Sequence, residues 1–180
     1  MNDTADTATV QPITAGHEKH IRDLTGEYIR RAGMIYNREL PAIPVIFDLK
    51  GRAAGMYRVQ NGHRIIRFNP YIFAKYPDDN IVSTVPHEVA HYVVDVLYGV
   101  MNVRPHGAEW QKVMFSLGAE PSVTGNYDLS GIPVRRQRRH TYQCACTIHQ
   151  ISAVRHNKIR LGKARYFCRY CMAPILSAAT

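Results

Sequence analysis

His87-Glu88-Val89-Ala90-His91 places two imidazoles and a carboxylate within five residues. What that set can do depends on whether the segment is helical. Four residues advance a helix by about 400°, so His87 and His91 project from one face, a turn apart. That spacing suits two nitrogen ligands of one tetrahedral zinc ion, each at about 2.0–2.1 Å. Glu88 is rotated by about 100° from His87, near enough to reach a water on the ion without being a ligand. Zinc lowers the pKa of such a water towards about 7, and a carboxylate can then remove its proton as it attacks a carbonyl. The pattern predicts metal-assisted hydrolysis, with Glu88 as the catalytic residue.

A catalytic zinc takes a third protein ligand and keeps one open position. His106, Glu109, Asp95 and Glu120 are the candidates. Leu97 stands where the metzincin extension needs histidine, which excludes that class. His106 follows Pro105 and precedes Gly107, so a chain reversal over 99–105 would return it to the motif helix, with Glu109 as the rival. A second cluster, Cys144, Cys146, Cys168 and Cys171, has near-ribbon spacing and predicts a structural zinc site. Cys144-Ala145-Cys146 is shorter than the usual C-x-x-C, so its turn must be unusual or His149 replaces one thiolate, with His156 a more distant substitute. A redox pair is disfavoured because no thioredoxin-like βαβ unit surrounds the C-x-x-C.

These groups need elements to hold them. Asp78 or Asp79 can cap a helix running towards Tyr98, with Gly99 past its end. Val85, Val89, Val93, Val94 and Leu97 would bury its other faces. Pro86 removes a hydrogen bond to the Val82 carbonyl, so that helix must kink or restart beside the first histidine. Upstream, Ile21, Leu24, Tyr28 and Ile29 recur at helical spacing from Gly16 to Ala32, with Gly33 as the stop. Val45-Ile46-Phe47 reads as a short strand, and Met56–Val59 with Arg64–Phe68 reads as a hairpin closed by Asn61-Gly62. Asn69-Pro70 ends the second strand. A further helix is expected from Gly107 to Leu117. The fold class is α+β, a small sheet packed on the motif helix. Residues 1–15 read as a frayed, disordered terminus, 121–134 as a linker, and 135–180 as a separate basic segment.

Charge is unevenly distributed. All 14 acidic residues and 13 of the 23 Lys/Arg precede Leu129, whereas 129–180 hold ten basic residues and no acid. Arg135, Arg136, Arg138, Arg139, Arg155, Lys158, Arg160, Lys163, Arg165 and Arg169 therefore form a candidate nucleic-acid surface that gains from counterion release. Tyr142, Tyr166, Phe167 and Tyr170 interleave with them, a pattern suited to stacking on unpaired bases. No apolar run is long enough for a membrane span. The first residues lack the basic and apolar regions of a secretory signal, so a cytoplasmic location is expected.

H-E-x-x-H followed by His106-Gly107 and Trp110 resembles the SprT family of zinc metallopeptidases. Ala54-Gly55, Phe68-Asn69-Pro70, Val85-Pro86 and the Tyr142, Cys144, Cys146, Cys168, Cys171 set extend the likeness over roughly residues 17–176. The resemblance implies a zincin-like metallopeptidase domain over 16–120 and a zinc-ribbon-like segment over 135–180. It implies His87, His91 and His106 as catalytic-zinc ligands and Glu88 as the catalytic residue. Related Spartan-type proteases degrade proteins crosslinked to DNA, which implies protein substrates on DNA. The competing expectation is a regulatory nucleic-acid-binding zinc protein with little peptidase activity. A substrate peptide is expected along Arg64–Phe68 as an edge strand; no oxyanion-stabilising residue is fixed by the sequence, and His63, Tyr71 and Tyr98 are the candidates.

Overall fold

The computed structural model describes residues 9–122, 127–134 and 138–177. It divides into two compact units between Val134 and Arg135. The first begins with α1 (Ala15–Tyr36), which the Thr14 side chain caps by accepting from His17 N. Ile21, Thr25, Ile29 and Ala32 form its buried stripe. Gly33 does not end this helix. It continues to Asn37, whose left-handed backbone (φ 46°) makes the C-cap, because one glycine costs a helix only about 1 kcal/mol.

Three strands follow: β1 (Val45–Ile46), β2 (Gly55–Gln60) and β3 (His63–Phe68). The β2–β3 hairpin turns through Asn61 and Gly62, both at positive φ. β1 pairs in parallel with the other side of β3, giving the order β1-β3-β2. Arg64–Phe68 is thus the central strand and cannot be the docking edge expected from sequence; β2 supplies the edge beside the motif helix.

Asn69 caps α2 (Pro70–Lys75), accepting from Tyr71 N and Ile72 N, so the Asn-Pro pair starts a helix as well as ending a strand. The single helix expected towards Tyr98 is two: α3 (Pro77–Val82) and α4 (Thr84–Tyr98). Pro86 falls on the third residue of α4, where a backbone N–H has no partner within the helix, so the restart accommodates it without an interior break. α4 carries Val85, Val89, Ala90, Tyr92 and Val93 into the core with Ile66 and Phe68 of β3. α5 (Ala108–Ser116) closes that core with Trp110, Val113 and Met114.

Part of the stretch read as linker is built into this unit. Lys75 Nζ lies 2.8 Å from Asp128 Oδ2 and 2.9 Å from the Ser130 carbonyl, and Ile132 is buried. Val10 N donates to Gly131 O and Ile13 N to Pro70 O, so these two residues, expected as part of a frayed end, are hydrogen-bonded to the rest of the unit. Residues 1–8 lie outside the described residues.

The second unit contains β4 (Arg139–Gln143), β5 (Ile148–Ser152), α6 (Ala153–Arg160) and β6 (Leu176–Ser177), with sheet order β5-β4-β6. Its small core is Tyr142, Ile151, Cys168 and Ile175. No helix among the described residues is long and apolar enough to cross a membrane.

Candidate metal centre

α4 presents His87 and His91 on one face, as a four-residue helical spacing requires. The third imidazole arrives from the loop after α4. Gly99 ends the helix at φ 81°, and Asn102 Nδ2 bonds back to the Tyr98 carbonyl. The chain then returns through Pro105 to His106, which itself has φ 56°. A left-handed backbone in a residue with a Cβ costs about 1–3 kcal/mol and marks a position where the fold enforces a side-chain direction. Gly107 caps α5 immediately afterwards.

The three Nε2 atoms form a near-equilateral triangle: His87–His91 3.2 Å, His91–His106 3.1 Å and His87–His106 3.1 Å. A tetrahedral ion with ligands at about 2.0–2.1 Å separates them by about 3.3 Å, so the donor set fits zinc. Asp95, Glu109 and Glu120 do not join this cluster. Burial, then repulsion from His106, pulls the His87 pKa down to about 4. His91 falls to about 3 for the same reason, with His87 and His106 adding to it, and burial also lowers His106. All three rings are neutral at neutral pH, the form that offers a lone pair. His87 Nδ1 lies 3.3 Å from the Ser122 carbonyl; donation there leaves Nε2 unprotonated and facing its neighbours.

Glu88 is buried beside this triangle, and burial pushes its pKa up to about 8 against the favourable Tyr57 N–H. Tyr57 N donates to Oε2 at 2.6 Å, while Oε1 has no hydrogen-bond partner among the described residues. β2 approaches this closely because of Gly55: a Cβ there would sit 2.5 Å from Glu88 Oε1 and 2.8 Å from Thr84 Cγ2. The histidines and Glu88 line a cleft of about 320 Å³ walled by Met56, Tyr57, Val94, Val100, Val103 and Arg104. The oxyanion candidates His63, Tyr71 and Tyr98 are not among its lining residues. Tyr57, Asp95, Arg104 and Trp110 do line it. Of these, sequence reasoning weighed only Asp95, as a ligand, and Trp110, as part of the family motif.

In the second unit the four cysteines put their sulfurs within 4.8 Å of one another. Cys144–Cys146 is 3.5 Å and Cys146–Cys168 3.7 Å, close to the roughly 3.8 Å edge of a Zn–S tetrahedron with bonds of about 2.3 Å. The short C-x-C works because it lies in the β4–β5 turn, closed by Cys144 N donating to Thr147 O. His149 Nε2 lies 3.2 Å from Cys144 Sγ, outside the four-sulfur cluster, and His156 instead bonds the Tyr142 hydroxyl. Arg138, Arg139, Arg155, Lys158, Arg160, Lys163, Arg165 and Arg169 are exposed; Arg135 and Arg136 lie outside the described residues. Tyr142 is buried and Tyr166 lies under the Arg155 guanidinium, whereas Phe167 is 56% and Tyr170 89% exposed.

Known proteins share this arrangement of sequence. The SprT-like family profile matches residues 25–138. Protein SprT of Pasteurella multocida (strain Pm70) is 35% identical over 156 residues, 86% of this chain and 90% of that protein. Protein SprT of Vibrio parahaemolyticus is 33% identical, covering 82% and 86% of the two chains. Protein SprT of Pseudomonas aeruginosa (strain LESB58) is 32% identical, covering 88% and 94%. With relatives matched along most of their length and a family profile spanning both the histidine triangle and its supporting sheet, the chain belongs to the SprT-like family.

Proposed function

We propose that the protein is a zinc-dependent metalloendopeptidase of zincin-like fold, acting in the cytoplasm on proteins bound or crosslinked to DNA. The observation that carries this reading is the Nε2 triangle with Glu88 beside it in one open cleft. His87, His91 and His106 would hold the ion. Zinc supplies Lewis acidity towards a peptide carbonyl and acidifies water. Glu88 Oε1, the oxygen that Tyr57 leaves unbonded, takes the proton from the attacking water and returns it to the departing amine. A purely structural site has no use for that carboxylate.

An extended peptide adds to the free edge of β2, which runs past Glu88 through Gly55 and Tyr57. The second unit supports a DNA partner. It offers an acid-free basic surface, and its two exposed aromatics suit stacking on unpaired bases. Cys144, Cys146, Cys168 and Cys171 would hold a structural zinc there, supplying folding energy that so small a core lacks.

The test is incubation of zinc-loaded protein with a flexible protein substrate, with and without single-stranded DNA. The wild type cleaves and Glu88→Gln does not; equal inactivity of both would favour the regulatory DNA-binding alternative. Arg165→Glu with Arg169→Glu weakens DNA binding and flattens its salt dependence, and an unchanged salt slope would remove this surface from the reading.

A further inference from the structure

α4 grips β2 at two points through one residue. Glu88 Oε2 accepts the backbone N–H of Tyr57 at 2.6 Å. Asp95, seven residues and two turns further along the same face, accepts the Tyr57 hydroxyl through Oδ2 at 2.7 Å. Asp95 Oδ2 also accepts Arg64 Nε of β3 at 2.6 Å, and Oδ1 accepts Val100 N at 3.0 Å. Asp95 is 7% exposed, so its charge is offset by these three donors. Burial works against its ionisation, but the bonds from Tyr57 and Arg64 outweigh it and hold its carboxyl below the usual range.

We propose that Tyr57 is a positioning residue for Glu88 and that Asp95, through the Tyr57 hydroxyl, is what sets it. Glu88 is a short-range actor: a base must lie within hydrogen-bond reach of the proton it removes. Its carboxylate has one hydrogen-bond partner among the described residues, the Tyr57 amide. That amide sits on a strand whose contact with α4 includes a glycine, Gly55, with no side chain to act as a spacer. The Tyr57 side chain therefore fixes the height of β2 over the cleft, with its ring against Tyr92 (centroids 6.1 Å apart) and its hydroxyl on Asp95. Val100 N ties the same carboxylate to the start of the loop that leads to His106. One buried acid thus joins the strand beside the base, the central strand and the ligand-bearing loop.

The inference rests on Glu88 acting as the base, and its test separates the two. Full-length zinc-loaded wild type, Tyr57→Phe and Asp95→Asn are compared on labelled casein, and amide hydrogen exchange at Tyr57 is followed by NMR with and without zinc. Tyr57→Phe keeps the ring and its packing, so it remains informative if Asp95→Asn fails to fold. In each folded variant the Tyr57 amide exchanges at least about tenfold faster. kcat falls about tenfold or more with KM within about twofold, at unchanged zinc content. An unchanged amide, or a loss of activity matched by loss of zinc, overturns the proposal. If wild type and Glu88→Gln are equally inactive, the peptidase reading fails, and the amide measurement alone still decides whether Asp95 and Tyr57 hold the carboxylate.

Discussion

Trp110 Nε1–H donates to the His87 carbonyl at 3.4 Å, and the indole ring packs against the His87 imidazole with centroids 4.7 Å apart. The same ring lies 4.7 Å from His106 and 5.8 Å from His91, and it is 1% exposed. One buried side chain on α5 thus packs against three rings that come from two other segments. Residues that orient ligands typically contribute about 10–100-fold to metal affinity. Trp110→Phe should weaken zinc binding at the histidine site by about tenfold or more, read by chelator competition; unchanged affinity would show that the rings are held without it.

The metal-free protein should be most stable near pH 6.5 as far as this site is concerned. Folding favours the neutral forms of His87 and His91, whose pKa values drop from 6.5 to about 4 and about 3. Their contribution is complete above pH 6.5 and is lost as pH falls through those values. Glu88 is raised from 4.5 to about 8, so its contribution is complete below pH 4.5 and is lost as pH rises through 8. Three histidines outweigh one carboxyl on the acid side, while only Glu88 acts on the alkaline side. Urea midpoints from pH 5 to 8.5 should therefore pass through a maximum in the metal-free wild type. In Glu88→Gln the decline between pH 6.5 and 8 should be smaller; an identical decline would place the Glu88 pKa elsewhere.

Gly55→Ala should be destabilising out of proportion to its size. The added methyl would lie 2.5 Å from Glu88 Oε1, 2.7 Å from Glu88 Cγ and 2.8 Å from Thr84 Cγ2. β2 or the Glu88 side chain must shift, at a cost of about 1–3 kcal/mol. Chemical denaturation with and without zinc measures this, and a loss below about 0.5 kcal/mol would mean that the strand yields freely.

Metal analysis should give two zinc atoms per chain, one in each unit. His87→Ala with His91→Ala should retain one and leave the second unit folded. Cys168→Ser should also retain one, but with loss of ordered signals from β4 and β5, because Cys168 is both a sulfur donor and a member of the small core. A wild type holding a single zinc would eliminate one of the two sites.

Local signals carried the sequence reading furthest where function is local. The i, i+4 histidines, the Asn61-Gly62 turn and the start of α5 after Gly107 each follow from a few adjacent residues. The sequence-based end of α1 at Gly33 failed because the buried stripe and the Asn37 cap outweigh one glycine. Arg64–Phe68 read as an edge because a hairpin shows only one neighbour; the parallel pairing with Val45–Ile46 spans about twenty residues and leaves no short-range mark. The Tyr57–Asp95 bond joins residues 38 apart, and nothing in either segment announces the other. Likewise Trp110 could be read only as part of a motif, since its contact with three imidazoles exists only once α5 folds back on α4.

A crystal of the zinc-loaded protein, with the ion located by anomalous scattering, asks the decisive question. The expected result is one ion about 2.0–2.1 Å from Nε2 of His87, His91 and His106, with solvent in its fourth position and Glu88 within reach of that solvent. An ion absent from this triangle, or one whose fourth position is filled by a side chain of the protein, would contradict a hydrolytic centre.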